Sequence, residues 1–208
     1  MTAATQRANR RRIAGRLALP GEPCWLRQVH GRSVVAAHAR AAASAPPAAD
    51  AAWTDRPDTV CAVLTADCLP VVLAAADARG VAVAHAGWRG LAAGVVESAL
   101  AALAVAPARV HAWLGPAIGP HAFEVGPEVR AAFVDDDPAQ AAAFRRGRGD
   151  RWHGDLYELA RRRLRRAGVA RISGGGWCTA GEPERFFSHR RDGPETGRMA
   201  TLAWLQPD

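Results

Sequence analysis

The sequence predicts one mixed α and β domain, and three observations carry that expectation. A chain of 208 residues, 49% of them hydrophobic, is long enough to bury a core of its own. Several short β-branched or apolar runs are bounded by Asp, Pro and Gly, as buried strands are. Two longer stretches space their apolar residues at the helical period. Strands and helices are interspersed without a strict βαβ rhythm, so periodicity alone gives no topology.

Taken in order, residues 24–29 read as a short strand leading into His30 and Gly31, with residues 33–38 as its neighbour. Residues 40–50, with Pro46 and Pro47 among small side chains, read as a surface connection. Residues 60–64, 71–75 and 81–85 read as buried strands. After Gly90 a helix is expected, with Leu91, Val95, Ala99 and Ala102 or Leu103 on one face. Residues 110–114 form a further strand, ending at Gly115-Pro116. The clearest helix spans 155–167. Asp155 can cap it with Glu158 completing a capping box, Leu156, Leu159, Ala160 and Leu164 form its apolar face, and Gly168 closes it. Short strands are expected near 186–188 and 199–204.

Composition narrows the function. No apolar run approaches the ~20 residues of a membrane span, and the basic stretch before Arg12 is followed by no apolar signal core. A cytoplasmic protein with reduced thiols at Cys24, Cys61, Cys68 and Cys178 is the expectation. The net charge of +7 comes entirely from arginine, scattered apart from Arg10–Arg12 and Arg161–Arg166, so it reads as compositional bias rather than as a specific nucleic-acid surface. Anionic small substrates remain compatible with it.

Three segments combine turn residues with ligating or nucleophilic side chains, each just after an expected strand: Gln28-Val29-His30-Gly31, residues 65–70 (with Asp67 and Cys68), and His85-Ala86-Gly87-Trp88-Arg89-Gly90. Two imidazoles and a thiolate suit zinc and leave a fourth position for water, whose pKa the metal lowers to ~7. The spacings of 38 and 17 residues between His30, Cys68 and His85 do not by themselves dictate a metal. The same atoms also allow a Cys68 nucleophile with His85 as its base, or a buried cysteine near two satisfied histidines.

Six motifs in one order carry a resemblance. They are the three segments above, residues 115–120 with Phe123-Glu124-Val125-Gly126, Cys178-Thr179, and residues 186–191 with Gly197-Arg198-Met199-Ala200. Together they closely resemble the family variously called multicopper polyphenol oxidase or laccase-domain proteins, purine nucleoside phosphorylase, and peptidoglycan editing factor. The likeness runs from about Asn9 to Trp204.

The resemblance implies an α+β fold, an α-β-β-α sandwich with mixed sheets, shared distantly with a group of bacterial cysteine-dependent toxins. It implies metal ligands at His30, Cys68 and His85, and a zinc enzyme acting on purine nucleosides. The reactions would be phosphorolysis of adenosine, inosine, guanosine or methylthioadenosine, and deamination of adenosine; copper would be needed for polyphenol oxidation. Editing of a peptidoglycan precursor by a Cys68–His85 amidohydrolase, and a non-catalytic binding role, are the alternatives. Nucleoside and phosphate are the expected partners, and the sequence leaves oligomeric state open.

For chemistry beyond the ligands, Asp67 or Glu124 could carry a proton, Arg89 and then Arg191 could hold phosphate, and Gln28 could contact substrate. Trp88 and Trp113 read as pocket wall or core, Cys24 and Cys61 as core, and Cys178 as packing or pocket wall. His121 and His189 read as surface or hydrogen-bonded histidines. Family members carry a further N-terminal segment with Arg-x-Gly-Gly-x-Ser and Asn-Leu-Gly motifs. The chain is therefore expected either to lack one wall of the family pocket or to start further upstream.

Overall fold

The computed structural model of the chain describes residues 3–39 and 45–207. Part of the expected connection at 40–50 therefore lies outside the described residues. The chain opens with α1 (Ala3–Arg16), an Arg-rich helix with little apolar surface, which the sequence reading did not anticipate. Residues 24–29 are extended but form no strand, pairing only through isolated bridges from Cys24 to Cys61 and from Arg27 to Ala48. Then come β1 (Val34–Ala36), β2 (Ala51–Thr54), β3 (Cys61–Thr65), β4 (Leu69–Ala75) and β5 (Val81–Ala86).

The helix expected after Gly90 is two helices, α2 (Trp88–Ala93) and α3 (Val95–Ala102). Gly94 separates them. Its φ of 93° lets it close α2 by donating to Gly90 and Leu91 carbonyls and then start α3. After β6 (Val110–Leu114) follow β7 (Glu124–Val125), α4 (Pro127–Val134), β8 (Phe144–Arg146) and β9 (Trp152–Gly154). The chain continues with α5 (Leu156–Arg166), β10 (Arg171–Gly174), α6 (His189–Asp192) and β11 (Met199–Ala203). Asp155 caps α5 by accepting from the Glu158 N–H at 3.0 Å. The Glu158 carboxylate does not complete a capping box, because it pairs with Arg162 at 2.7 Å. Residues 186–188 are not a strand and lead directly into α6.

Six strands form the main sheet in the order β1-β2-β5-β4-β6-β10, with parallel pairing at both edges and antiparallel pairing in the middle. One face carries α3, which in turn packs on α5. Leu69, Val71, Leu73, Leu91, Val95, Leu114, Leu159 and Leu164 fill the layer between them. The antiparallel β3–β11 ribbon covers the other face over a smaller core of Ala52, Cys61, Val63 and Val83. Beyond the ribbon, α1 faces Trp25, Leu64 and Ala200 across a cavity of about 310 Å³. The architecture is thus the α-β-β-α sandwich. Every residue of β5 is buried because both of its faces are covered.

This topology sets up the site. Antiparallel pairing of β4 with β5 in the register Pro70↔His85 brings the turn before β4 beside the end of β5. Pairing of β2 with β5 in the register Ala51↔Ala84 places Asp50 next to His85, whose N–H donates to the Asp50 carbonyl at 2.7 Å.

Candidate metal centre and the cleft around it

His30, Cys68 and His85 offer ligand atoms that all lie within 4.8 Å of one another, and among the described residues they are the one such group of three or more. Their sources are the turn after the extended N-terminal stretch, the β3–β4 turn and the end of β5. His30 Nε2 lies 4.0 Å from Cys68 Sγ, and the two imidazole rings meet edge to face with centroids 4.8 Å apart. His30 and Cys68 reach the surface of a cleft, while His85 is buried.

The local backbone is shaped to bring these atoms together. His30 holds a φ of 59° and Asp67 a φ of 85°, left-handed values rare outside glycine. Gly87 precedes α2, and a Cβ there would stand 2.9 Å from Cys68 Sγ and 3.3 Å from His30 Cδ2. A Cβ at Gly90 would meet the Gly31 carbonyl oxygen at 2.8 Å, so the first turn of α2 presses directly on the turn carrying His30.

A residue the sequence reading missed stands behind the cluster. The Asp50 side chain is fully buried and accepts from the N–H groups of Val29 (3.1 Å), His30 (2.9 Å) and Gly31 (2.7 Å), and from His85 Nδ1 (2.8 Å). Burial alone would raise its carboxyl pKa, but the hydrogen bonds from His85, Gly31 and Val29 outweigh that and hold it below the ordinary value. No motif marked it, since an Asp ahead of a strand carries no local signature.

The charges of the metal-free cluster are coupled. Burial by itself would push the Cys68 thiol up, yet hydrogen bonds from His30 and His85 bring it down to about 6. Burial would likewise lower His85, but Asp50 and Cys68 together push it up to about 9. At neutral pH the metal-free chain therefore holds a Cys68 thiolate against a His85 imidazolium. The fit to a metal is good. One sulfur and two nitrogens converge, and Asp50 fixes His85 with Nδ1 turned away, leaving Nε2 as its ligating nitrogen.

The cleft has a volume of about 520 Å³ and is lined by Gln28, the three cluster residues, Asp67, Trp88, Arg89, Ile118, Phe123, Leu156, His189, Arg190 and Arg198, among others. Several of the polar candidates are already committed. The Gln28 side-chain amide donates to the Leu64 carbonyl and accepts from the Leu64 N–H, both at 2.8 Å, extending β3 like a neighbouring strand. Asp67 accepts from Thr179 Oγ1 at 2.6 Å and from the Arg190 N–H at 2.7 Å, so each of its oxygens has a partner. Arg190 donates to the Ala122 and Glu124 carbonyls, and Arg198 to those of Thr196 and Gly197. Arg89 differs. Among the described residues its guanidinium makes no hydrogen bond or ion pair and stacks on Trp88 at 4.4 Å.

Two of the candidates lie elsewhere. Glu124 is exposed on β7 and does not line the cleft. Arg191 is paired with Asp192 at 2.7 Å and donates to the Thr179 and Phe186 carbonyls, so it braces the C-terminal segment. His189, Arg190 and Arg198 reach the cleft although the sequence reading did not place them there. Cys61 is core, Trp88 is cleft wall, and Trp113 belongs to a second cavity on the ribbon side.

Comparison with known proteins settles the family. The profile described as multi-copper polyphenol oxidoreductase laccase matches residues 2–206. The chain belongs to that family. A purine nucleoside phosphorylase of Xylella fastidiosa (strain 9a5c) is 54% identical over 202 residues, covering 95% of this chain and 77% of the relative. Purine nucleoside phosphorylase YfiH of Escherichia coli K12 is 51% identical over 197 residues, covering 95% and 79%. The crystal structure of Neisseria meningitidis protein NMB0706 superposes with a TM-score of 0.94 at 45% identity, covering 99% of this chain and 83% of that one. This laccase-family chain therefore has close relatives named as enzymes, and a His-Cys-His cluster that could hold a metal. No helix among the described residues is long and apolar enough to cross a membrane.

Proposed function

We propose that the chain is a zinc-dependent purine nucleoside enzyme, performing phosphorolysis of adenosine, inosine, guanosine or methylthioadenosine and deamination of adenosine. The observation that carries this is the convergence of His30, Cys68 and His85 at a cleft that also holds an uncommitted arginine beside aromatic walls. The names of the relatives support the phosphorylase half. A set of one thiolate and two imidazoles suits zinc, and it also accepts copper. Oxidase chemistry with several coppers is less well supported, because His38, His111, His121, His153 and His189 join no such group among the described residues.

In this mechanism His30, Cys68 and His85 would hold a zinc ion, which would supply Lewis acidity and a water activated near neutral pH. Trp88, Ile118 and Phe123 form apolar surfaces against which a planar base stacks. Arg89 receives the phosphate as a charge-assisted donor, since among the described residues its guanidinium stacks on Trp88 but has no hydrogen-bond or ion-pair partner. Asp67 keeps the segment carrying His189 and Arg190 over the cleft. Gln28 holds the ligand turn to β3.

The test is to incubate zinc-loaded protein with adenosine, with and without phosphate, and identify the products. Inosine formed without phosphate means deamination, and adenine formed only with phosphate means phosphorolysis. If neither product forms, the reading is overturned. Arg89→Ala is expected to raise KM for phosphate by on the order of tenfold, about 1.4 kcal/mol, with little change for the nucleoside. The Cys68 thiolate and His85 imidazolium of the metal-free chain favour one second reading, an amidohydrolase with Cys68 as nucleophile. Activity that survives a chelator and dies on alkylation of Cys68 would replace the first reading with this one.

A further inference from the structure

Asp50 is a fully buried carboxylate, and among the described residues its side-chain partners all belong to the His-Cys-His cluster or to the turn that carries part of it. Oδ1 takes the His30 N–H and His85 Nδ1, while Oδ2 takes the N–H groups of Val29 and Gly31. Its main chain reinforces the same junction. The Asp50 carbonyl accepts from the His85 N–H at 2.7 Å, and the Asp50 N–H donates to the Ser33 carbonyl at 3.0 Å.

Three successive N–H groups converging on one point form an anion-binding nest, and this nest is filled from within the chain. The turn needs that anion. His30 sits at a φ of 59°, which a non-glycine residue keeps only where its surroundings hold it. The carboxylate in turn needs the turn, since an ionised group at a fully buried position must be satisfied on every side. A carboxylate behind one ligating histidine is a general device of metal sites. Here one carboxylate reaches two ligands that lie 55 positions apart in the chain, His30 through its backbone and His85 through its ring.

We infer that Asp50 is a positioning residue that aims both imidazoles of the cluster, fixing the His85 tautomer through Nδ1 and the direction of His30 through the 29–31 turn. This rests on the metal reading of the cluster. Asp50 touches no substrate and acts only through the two ligands.

The experiment uses the full chain and measures zinc affinity by competition with a chromogenic chelator. Asp50→Asn replaces the second acceptor oxygen with a donor, so part of the nest or His85 Nδ1 loses its partner. Zinc affinity is expected to fall about 10–100-fold. Asp150→Asn, changed at an exposed position that does not line the cleft, is expected to leave it unchanged. In a His85→Ala background, Asp50→Asn must weaken zinc binding further, by about tenfold, because the His30 turn still loses its anchor. Equal affinities in that pair would mean that Asp50 serves His85 alone, and the inference is overturned.

A measurement on the unmutated chain covers the case in which Asp50→Asn does not fold. Amide exchange at Val29, His30 and Gly31 in the metal-free protein is expected to be slow, and rapid exchange at all three overturns the inference. If wild type binds zinc and Asp50→Asn binds it equally, this inference fails and the metal reading stands. If wild type binds none, the metal reading itself falls and takes this inference with it.

Discussion

Cys68 shows what a few ångströms of context do to one side chain. As an isolated thiol it would be mostly protonated at neutral pH, and burial would make it more so. Contact with His30 and His85 reverses this and brings it down to about 6. The sign of the pH dependence follows for the metal-free chain. A lowered Cys68 pKa stabilises the fold fully above its ordinary value of 9.0, and that contribution is lost as pH falls through about 6. The raised His85 pKa stabilises fully below its ordinary 6.5 and is lost as pH rises through about 9. The ion pair is thus the favoured form between about 6 and 9 and fades toward either end of that window. Alkylation of Cys68 in chelator-treated protein, followed by mass spectrometry, should rise to half its maximal rate near pH 6 and move toward the ordinary thiol range in His85→Gln. A midpoint that stays in the ordinary range in wild type would contradict the coupling. The three ligands were legible as residue types in turns. Asp50 was not, because its role comes from four donors brought to it by folding.

Among the elements, α2 is the one that seals the cluster, and Gly87 caps its start. The backbone there, φ −60° and ψ 158°, suits any residue, so glycine is not needed for conformation. What requires it is Cys68 Sγ, which would lie 2.9 Å from a new Cβ. Gly87→Ala is therefore expected to keep the thermal stability of the metal-free chain while lowering zinc affinity on the order of tenfold, about 1.4 kcal/mol. Calorimetry and chelator titration on the same sample check both halves. Legibility at this scale followed the source of each element's order. The helix α5 was readable because Leu156, Leu159, Ala160 and Leu164 share one buried face. By contrast α1 carries no apolar stripe and is exposed along most of its length, so no periodicity announced it. The division of α2 from α3 hid behind an apolar spacing that continues smoothly across Gly94.

Across the whole molecule, Asp67 adds a side-chain tie between the two halves of the chain to those made by the strand pairings. Its carboxylate accepts from Thr179 and from the Arg190 N–H, residues 112 and 123 positions away, while its carbonyl accepts from the Ile118 N–H. The C-terminal segment is thereby laid over the cleft, with His189 and Arg190 on its rim. Asp67→Asn keeps the left-handed turn, which Asn tolerates, but removes the charge that both donors face. It is expected to cost about 2 kcal/mol, the scale of a hydrogen bond to a charged group, read as a lower urea midpoint at unchanged slope. A midpoint equal to wild type would show that the segment is held by other contacts. The sequence by itself determined the α and β content of the domain, the strands around residues 61–86 and the order of the motifs, and only the resemblance carried by that order pointed to the three side chains able to hold a metal. Those features are local or compositional, and they survive in a linear string. The tertiary structure alone decided that Asp50 stands behind two of the ligands, that Gln28 and Asp67 spend their polar atoms on the fold, and that Arg89 stacks on Trp88 with no hydrogen-bond or ion-pair partner among the described residues. Whether a polar atom is available depends on which distant donors and acceptors folding brings within about 3 Å of it, and no spacing along the chain encodes that.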